Sequence, residues 1–189
     1  MRDTEGHRIG IADIKASASA IHSPEELNDL IAIITSEDPI KSRNAAWVMT
    51  HFTAQQLLLV TPWLNQIVDI IIATPNQSLR RLLLNVIEQY DNTHVFFAAE
   101  TLRTDFLDFC LEHMYQPWES AGVQSLCIKL AYRQCSFYPE LLLEYKNTLQ
   151  LMQQGYAHSV MMLRKKFLNK LSRVTDRNGC RIRRCTLTN

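Results

Sequence analysis

The chain repeats part of itself at a spacing of 38 residues, and this repeat limits the folds that are open to it. Two segments align at that spacing without a gap. The matching pairs are Ser23 and Thr61, Pro24 and Pro62, Asp38 and Asn76, Arg43 and Arg81, Val48 and Val86, and Phe52 and Tyr90. A unit this short cannot bury a core alone, so successive units must stack and cover one another's apolar faces. The repeat therefore predicts an array of stacked helix pairs.

The first segment carries the start signals of two helices. Ser23 can accept a hydrogen bond from a free backbone N–H, Pro24 suits a first helical turn, and Glu26 completes a capping box. Asp38 is placed to cap a second helix over residues 39–52. The segment is thus predicted to be one helix-turn-helix unit.

The second segment repeats this plan with an interruption. Residues 53–56 offer another capping box, for a short helix through Val60. The Thr-Pro pair at 61–62 then restarts or kinks the helix, since proline breaks the backbone hydrogen-bond ladder. We expect the next helix to end near Thr74 and its partner to span residues 77–90.

The remainder of the chain follows the plan less closely. Only five glycines and six prolines are present, which favours helices with short connections. We expect a single domain over residues 11–173, with a loose tail at 1–10 and a basic, flexible tail at 174–189. Further helices are predicted over residues 11–21, 93–102, 104–114, 119–134, 138–153 and 158–173.

An acidic residue before a helix that carries an arginine, as Asp38 stands before Arg43, resembles the HEAT-repeat pattern, with armadillo repeats a close second. The resemblance covers residues 23–90 well and 93–173 by architecture alone. In the HEAT pattern the acid and the arginine lie one position further apart, and the third unit lacks an arginine at the matching position. The resemblance implies an all-α fold, a right-handed α-α superhelix of about four helix pairs, and a non-catalytic scaffold or adaptor.

Charge is unevenly distributed along the chain. The net charge is +1, but residues 164–189 contain nine Lys and Arg against Asp176, a net charge of +8. The remaining residues therefore carry a net charge of −7. A basic end on an acidic body can attract an anionic partner or the acidic part of the chain itself.

Cysteine usage and the N-terminal sequence predict a reduced, cytoplasmic location. Residues 1–10 are polar and charged, unlike a secretory signal, and an odd number of cysteines suits a reducing compartment. No apolar run approaches the roughly 18 residues that a membrane-spanning helix needs, so we expect no membrane partner. The cysteines are Cys110, Cys127, Cys135, Cys180 and Cys185.

Polar side chains form a stripe along the helix predicted over residues 39–52, on the side opposite its broad apolar face. The repeat places polar residues at the matching positions of the helix over residues 77–90. Second helices line the concave side of HEAT-like proteins, so the resemblance implies a groove for a protein or peptide. This concave stripe comprises Arg43, Asn44, Trp47, His51, Arg81, Asn85, Glu88, Ser125 and Lys129. Two structural alternatives stay open: Arg43 and Arg81 bridge adjacent repeats to an acid or a carbonyl, and Trp47 serves packing alone.

The basic end is a second candidate surface. Its basic residues share one face of the last helix and continue into the tail. Clustered positive charge of this kind binds phosphate backbones without sequence selectivity. Nucleic-acid binding is therefore the alternative function, and a solvated helix end with a solubilising tail is the structural alternative. The candidate residues are Lys165, Lys166, Lys170, Arg173 and Arg177.

Catalytic signatures are missing from the sequence. The six histidines are scattered outside any HExxH or paired-cysteine zinc pattern, and neither a Gly-rich phosphate loop nor a G-x-S-x-G turn is present. We expect no metal and no cofactor. One enzymatic alternative follows from the resemblance, because DNA-alkylation-repair glycosylases are HEAT-like and use tryptophan, aspartate and arginine on the concave face. In this chain the matching tryptophan would be Trp47 and the arginine would be Arg43 or Arg81. The concave stripe has no aspartate, so Glu88 would have to take its place.

Overall fold

The computed structural model describes residues 9–94, 103–152 and 155–185. Of residue 139 and residues 174–185 it describes the backbone alone. The chain divides into two compact units, residues 1–101 and 102–189. The predicted single domain over residues 11–173 stays a prediction, and most of the helix predicted over 93–102 lies outside the described residues.

The secondary structure of the described residues is entirely helical, which confirms the predicted all-α class. The first unit contains α1 (Ile11–Ala20), α2 (Pro24–Ile34), α3 (Pro39–Met49), α4 (Ala54–Leu59), α5 (Leu64–Ala73) and α6 (Gln77–His94). The second unit contains α7 (Thr104–His113), α8 (Ala121–Cys135), α9 (Pro139–Leu151) and α10 (His158–Cys185). Within the described ranges, no helix combines the length and the apolar character that a membrane crossing needs.

The two copies of the repeat begin their second helices, α3 and α6, with the same cap. The Asp38 carboxylate accepts hydrogen bonds from the backbone N–H groups two and three residues further on, at 2.9 and 3.0 Å. The Asn76 side-chain oxygen accepts from the N–H groups at the same two positions, at 3.0 and 3.2 Å. The pKa of the Asp38 carboxyl is lowered, mainly because its charged form accepts the hydrogen bond from the Lys41 backbone N–H. Sequence-aligned residues thus perform the same local task.

The start signals of the shorter helices are also confirmed. Ser23 and Glu26 form a reciprocal capping box, with hydrogen bonds of 3.2 and 3.0 Å between the backbone of one residue and the side chain of the other. Thr53 and Gln56 repeat this arrangement at the start of α4. The predicted interruption is a single 3₁₀ turn, Thr61–Trp63, between α4 and α5.

A buried polar side chain at the fourth position of α3, α6 and α8 donates a hydrogen bond to a carbonyl of the preceding helix or the turn that follows it. In α3, the Ser42 hydroxyl donates to the Ile34 carbonyl over 2.5 Å. In α8, the Gln124 amide donates to the Gln116 carbonyl over 2.8 Å. Each bond ties the second helix of the pair to its first helix or to the turn, and Ser42 also supplies a partner for a carbonyl at the end of α2, which has none within that helix.

Arg80 makes the corresponding link in α6. Only 9% of the residue is exposed, and its guanidinium donates to the Ile71 carbonyl over 3.4 Å and to the Thr74 carbonyl over 2.6 Å. These two carbonyls lie at the end of α5 and in the turn that follows. One charged side chain therefore joins α5 to α6, while the next residue, Arg81, is exposed.

Helix α3 occupies the middle of the first unit, in contact with α1, α2 and α6. The Gln89 amide on α6 donates to the Thr50 carbonyl over 3.2 Å, which ties α6 to the end of α3. The aligned aromatic of the second copy, Tyr90, joins Thr61 through their hydroxyl groups at 2.9 Å. The largest fully buried side chains of this unit include Leu27, Ile34, Met49, Ile67, Leu83 and Ile87.

Helix α8 occupies the middle of the second unit, in contact with α7, α9 and α10. The fully buried Tyr145 of α9 donates its hydroxyl to the Ile128 carbonyl over 3.0 Å. Arg164 on α10 donates to the Leu149 carbonyl over 2.7 Å. Cys110, Cys127 and Cys135 are buried and form no disulfide, and burial raises the pKa of Cys135 to about 12. These thiols thus serve the core as small apolar groups.

Helix α10 runs to Cys185, so the predicted helix end near Arg173 is wrong. Residues 174–185 lack apolar periodicity, which favoured a loose tail in the sequence. Once a helix exists, however, each further residue adds a hydrogen bond, and arginine is a strong helix former. The flexibility of residues 174–189 as a tail stays a prediction, and residues 1–8 and 186–189 lie outside the described part of the chain.

Candidate binding surface

Seven of the nine predicted stripe residues lie on α3 and α6, or directly after α3, and these two helices pack against each other. Arg43 and Arg81 are exposed, and Trp47, His51, Asn85 and Glu88 are half-buried. Asn44 is buried and accepts a hydrogen bond from the Arg43 guanidinium over 3.2 Å. The two helices therefore present both signs of charge, an amide and an aromatic ring within one unit.

Trp47 and His51 form the aromatic part of this surface. Their ring centres lie 6.5 Å apart with the planes tilted by 50°, a separation and tilt that suit aromatic pairs. Both rings are partly accessible. A half-buried tryptophan of this kind can pack against its own helix and still offer part of its face to a partner.

The alternative that Arg43 and Arg81 link neighbouring helices stays a prediction, but other residues make the links to the preceding helix or turn. Ser42 and Arg80, each one position earlier, make the bonds to the carbonyls of the preceding helix and turn. The two arginines are left on the exposed side of their helices. Sequence reasoning missed Arg80, because the aligned position in the first copy holds a serine.

Comparison with protein-family models gives one decisive match. The model of the HEAT repeat domain matches residues 1–171. The chain belongs to the HEAT repeat family. No curated protein and no solved structure matches it at a significant level. The family assignment confirms the predicted resemblance. It names no partner, so the kind of partner is inferred below from the surfaces of this chain.

Two stripe residues belong to the second unit of this HEAT repeat chain. Ser125 and Lys129 lie on α8, and both are half-buried. The continuation of the stripe from the first unit to Ser125 and Lys129 stays a prediction.

The second candidate surface lies on α10. Lys165, Lys166, Lys170 and Arg173 are exposed, and Lys170 Nζ stands 4.2 Å from the centre of the Tyr132 ring. Arg177 lies in the part of α10 whose backbone alone is described. The predicted basic face is therefore accessible over its first turns.

A cavity of about 420 Å³ lies in the second unit, with Glu119, Gln124 and Tyr156 among its lining residues. The Glu119 side chain is 1% exposed, and its carboxylate meets His113 Nδ1 at 2.7 Å. The carboxylate therefore links the end of α7 to the residue before the cap of α8. Within the described ranges, no three His, Cys, Asp or Glu side chains converge as a metal site requires.

Proposed function

We propose that this HEAT repeat chain is a non-catalytic scaffold that holds a protein or peptide segment on the surface of α3 and α6. The observation that carries the proposal is a polar stripe, exposed at Arg43 and Arg81 and otherwise mostly half-buried, on two second helices that pack side by side. HEAT repeats typically mediate protein interactions, which agrees with this use of the surface.

The chemistry of the stripe favours a polypeptide over a small metabolite. Tryptophan and arginine contribute most often to the energetic centre of protein interfaces, and Trp47 lies on the same helix as the exposed Arg43. Arg81 and Glu88 on α6 add charges of opposite sign. An extended segment with an apolar anchor beside charged residues would complement these groups.

Replacement of Trp47 by alanine is expected to abolish capture of the partner while the protein remains folded. The half-buried ring gives up less packing than a fully buried one, whose truncation costs about 3–5 kcal/mol. The measurement is a pull-down with the immobilised full chain from the cells that produce it, alongside thermal unfolding followed by circular dichroism.

Trp63→Ala supplies the matched control, because Trp63 is also half-buried and belongs to the turn before α5 and not to α3 or α6. It should lower thermal stability to a similar extent and keep the captured partner. Loss of the partner in both variants would assign the effect to stability, and retention in Trp47→Ala would overturn the proposed surface.

A further inference from the structure

A basic surface lies on α10, outside the stripe. Lys165, Lys166, Lys170 and Arg173 are exposed in the middle of this helix. At 100° per residue they occupy an arc of about 140°. The buried residues Val160, Phe167 and Leu171 fall on the opposite arc, where α10 contacts α8 and α9.

The backbone of α10 extends this basic face beyond the predicted helix end. Positions 177, 181 and 184 are arginines that follow position 173 at steps of four, four and three residues. Residues three or four positions apart lie on the same side of a helix. At 1.5 Å per residue, positions 165 and 184 lie about 28 Å apart along the axis.

We propose that the basic face of α10 binds the phosphate backbone of nucleic acid, independently of the stripe on α3 and α6. Each strand of a duplex carries one phosphate per 3.4 Å or so of helix axis, a dense row of negative charge that a row of cations can bind. Residues 164–189 provide nine cationic side chains against Asp176. Release of counterions from the polyanion would drive the binding.

Two features of α10 favour nucleic acid over other anionic partners. A helix that lies on a membrane needs its apolar face for the lipid, and here Val160, Phe167 and Leu171 are already buried in the second unit. Between Lys165 and Arg173, every exposed side chain is polar or charged. Met162, one turn earlier on the same arc, is exposed, but the described part of the face has no exposed Trp or Tyr of the kind that dominates the centre of protein interfaces.

The environment of Lys170 predicts binding without base preference. Its ammonium group covers the Tyr132 ring at 4.2 Å, and that ring also packs on Phe167 with centres 4.8 Å apart. The ring is therefore engaged within the protein, although stacking on bases would require a free aromatic face. Contacts with phosphate are sequence-independent.

The test measures fluorescence anisotropy of a short labelled duplex and a short labelled single strand with the full chain, between about 50 and 200 mM salt. Lys165→Gln/Lys166→Gln should weaken binding about tenfold at the lowest salt and reduce the salt slope by about two, one per cation removed. Two duplexes of different sequence should lose affinity alike.

Lys15→Gln/Lys41→Gln is the matched control, since both lysines are exposed and lie in the first unit. It removes the same charge and should bind like the unchanged protein. Absence of binding at the lowest salt, or an equal loss in the control pair, would overturn the proposal. Tighter binding of labelled polyglutamate than of the duplex would overturn it in favour of an acidic protein partner.

Discussion

Replacement of Arg80 by alanine is expected to lower the free energy of unfolding of the first unit by about 3 kcal/mol. The guanidinium is buried and donates to the Ile71 and Thr74 carbonyls. Truncation removes these bonds and the packing of the aliphatic stem together. The link between α5 and α6 would be lost with them.

Urea unfolding followed by tryptophan fluorescence measures this effect. Two of the three tryptophans, Trp47 and Trp63, lie in the first unit, so a Trp118→Phe background makes the signal specific to it. Arg81→Ala removes the same side chain type one position later, from an exposed site, and should change stability by less than about 0.5 kcal/mol. Equal losses in the two variants would contradict the assignment of the link to Arg80.

Replacement of His113 by alanine is expected to destabilise the second unit by about 3 kcal/mol, because the Glu119 carboxylate would lose its imidazole partner while it remains buried. The imidazole also stacks on Phe109, with ring centres 4.0 Å apart. This contact fixes the end of α7 against the start of α8. The unit should unfold at a lower urea concentration.

Two variants separate the roles of charge and contact in this pair. Glu119→Gln keeps an oxygen that can accept from His113 and removes the buried charge, so it should destabilise less than His113→Ala. Glu112→Ala, an exposed neighbour on α7, should have little effect. Trp118 reports the unfolding in a Trp47→Phe/Trp63→Phe background. A stability loss from Glu112→Ala as large as that from His113→Ala would show that the pair contributes little.

Local signals in the sequence predicted much of the fold. Asp38, Asn76 and the capping box of Ser23 and Glu26 each act where the sequence placed them, because a cap depends on residues within one helical turn. The break before α5 likewise follows from Pro62 alone. Such features need no knowledge of tertiary contacts.

The links between helices were not predictable in the same way. Ser42, Arg80 and Gln124 occupy the same helical position and perform the same task with three different side chains. Their common property is a buried donor, which alignment by residue identity does not detect. The shared arginines at 43 and 81 drew attention to exposed positions instead. Pairing of His113 with Glu119 depends on how the loop after α7 folds, so residue spacing alone did not reveal it.

Site-specific photo-crosslinking tests the proposed scaffold most directly. A photoreactive amino acid at position 81 or 85 of α6 should give one adduct of the same mass with the native partner, and Trp47→Ala should remove it. The same probe at Asp29, which is exposed on α2, should give none. An adduct of equal yield from position 29, or one that persists in Trp47→Ala, would contradict a binding surface on α3 and α6.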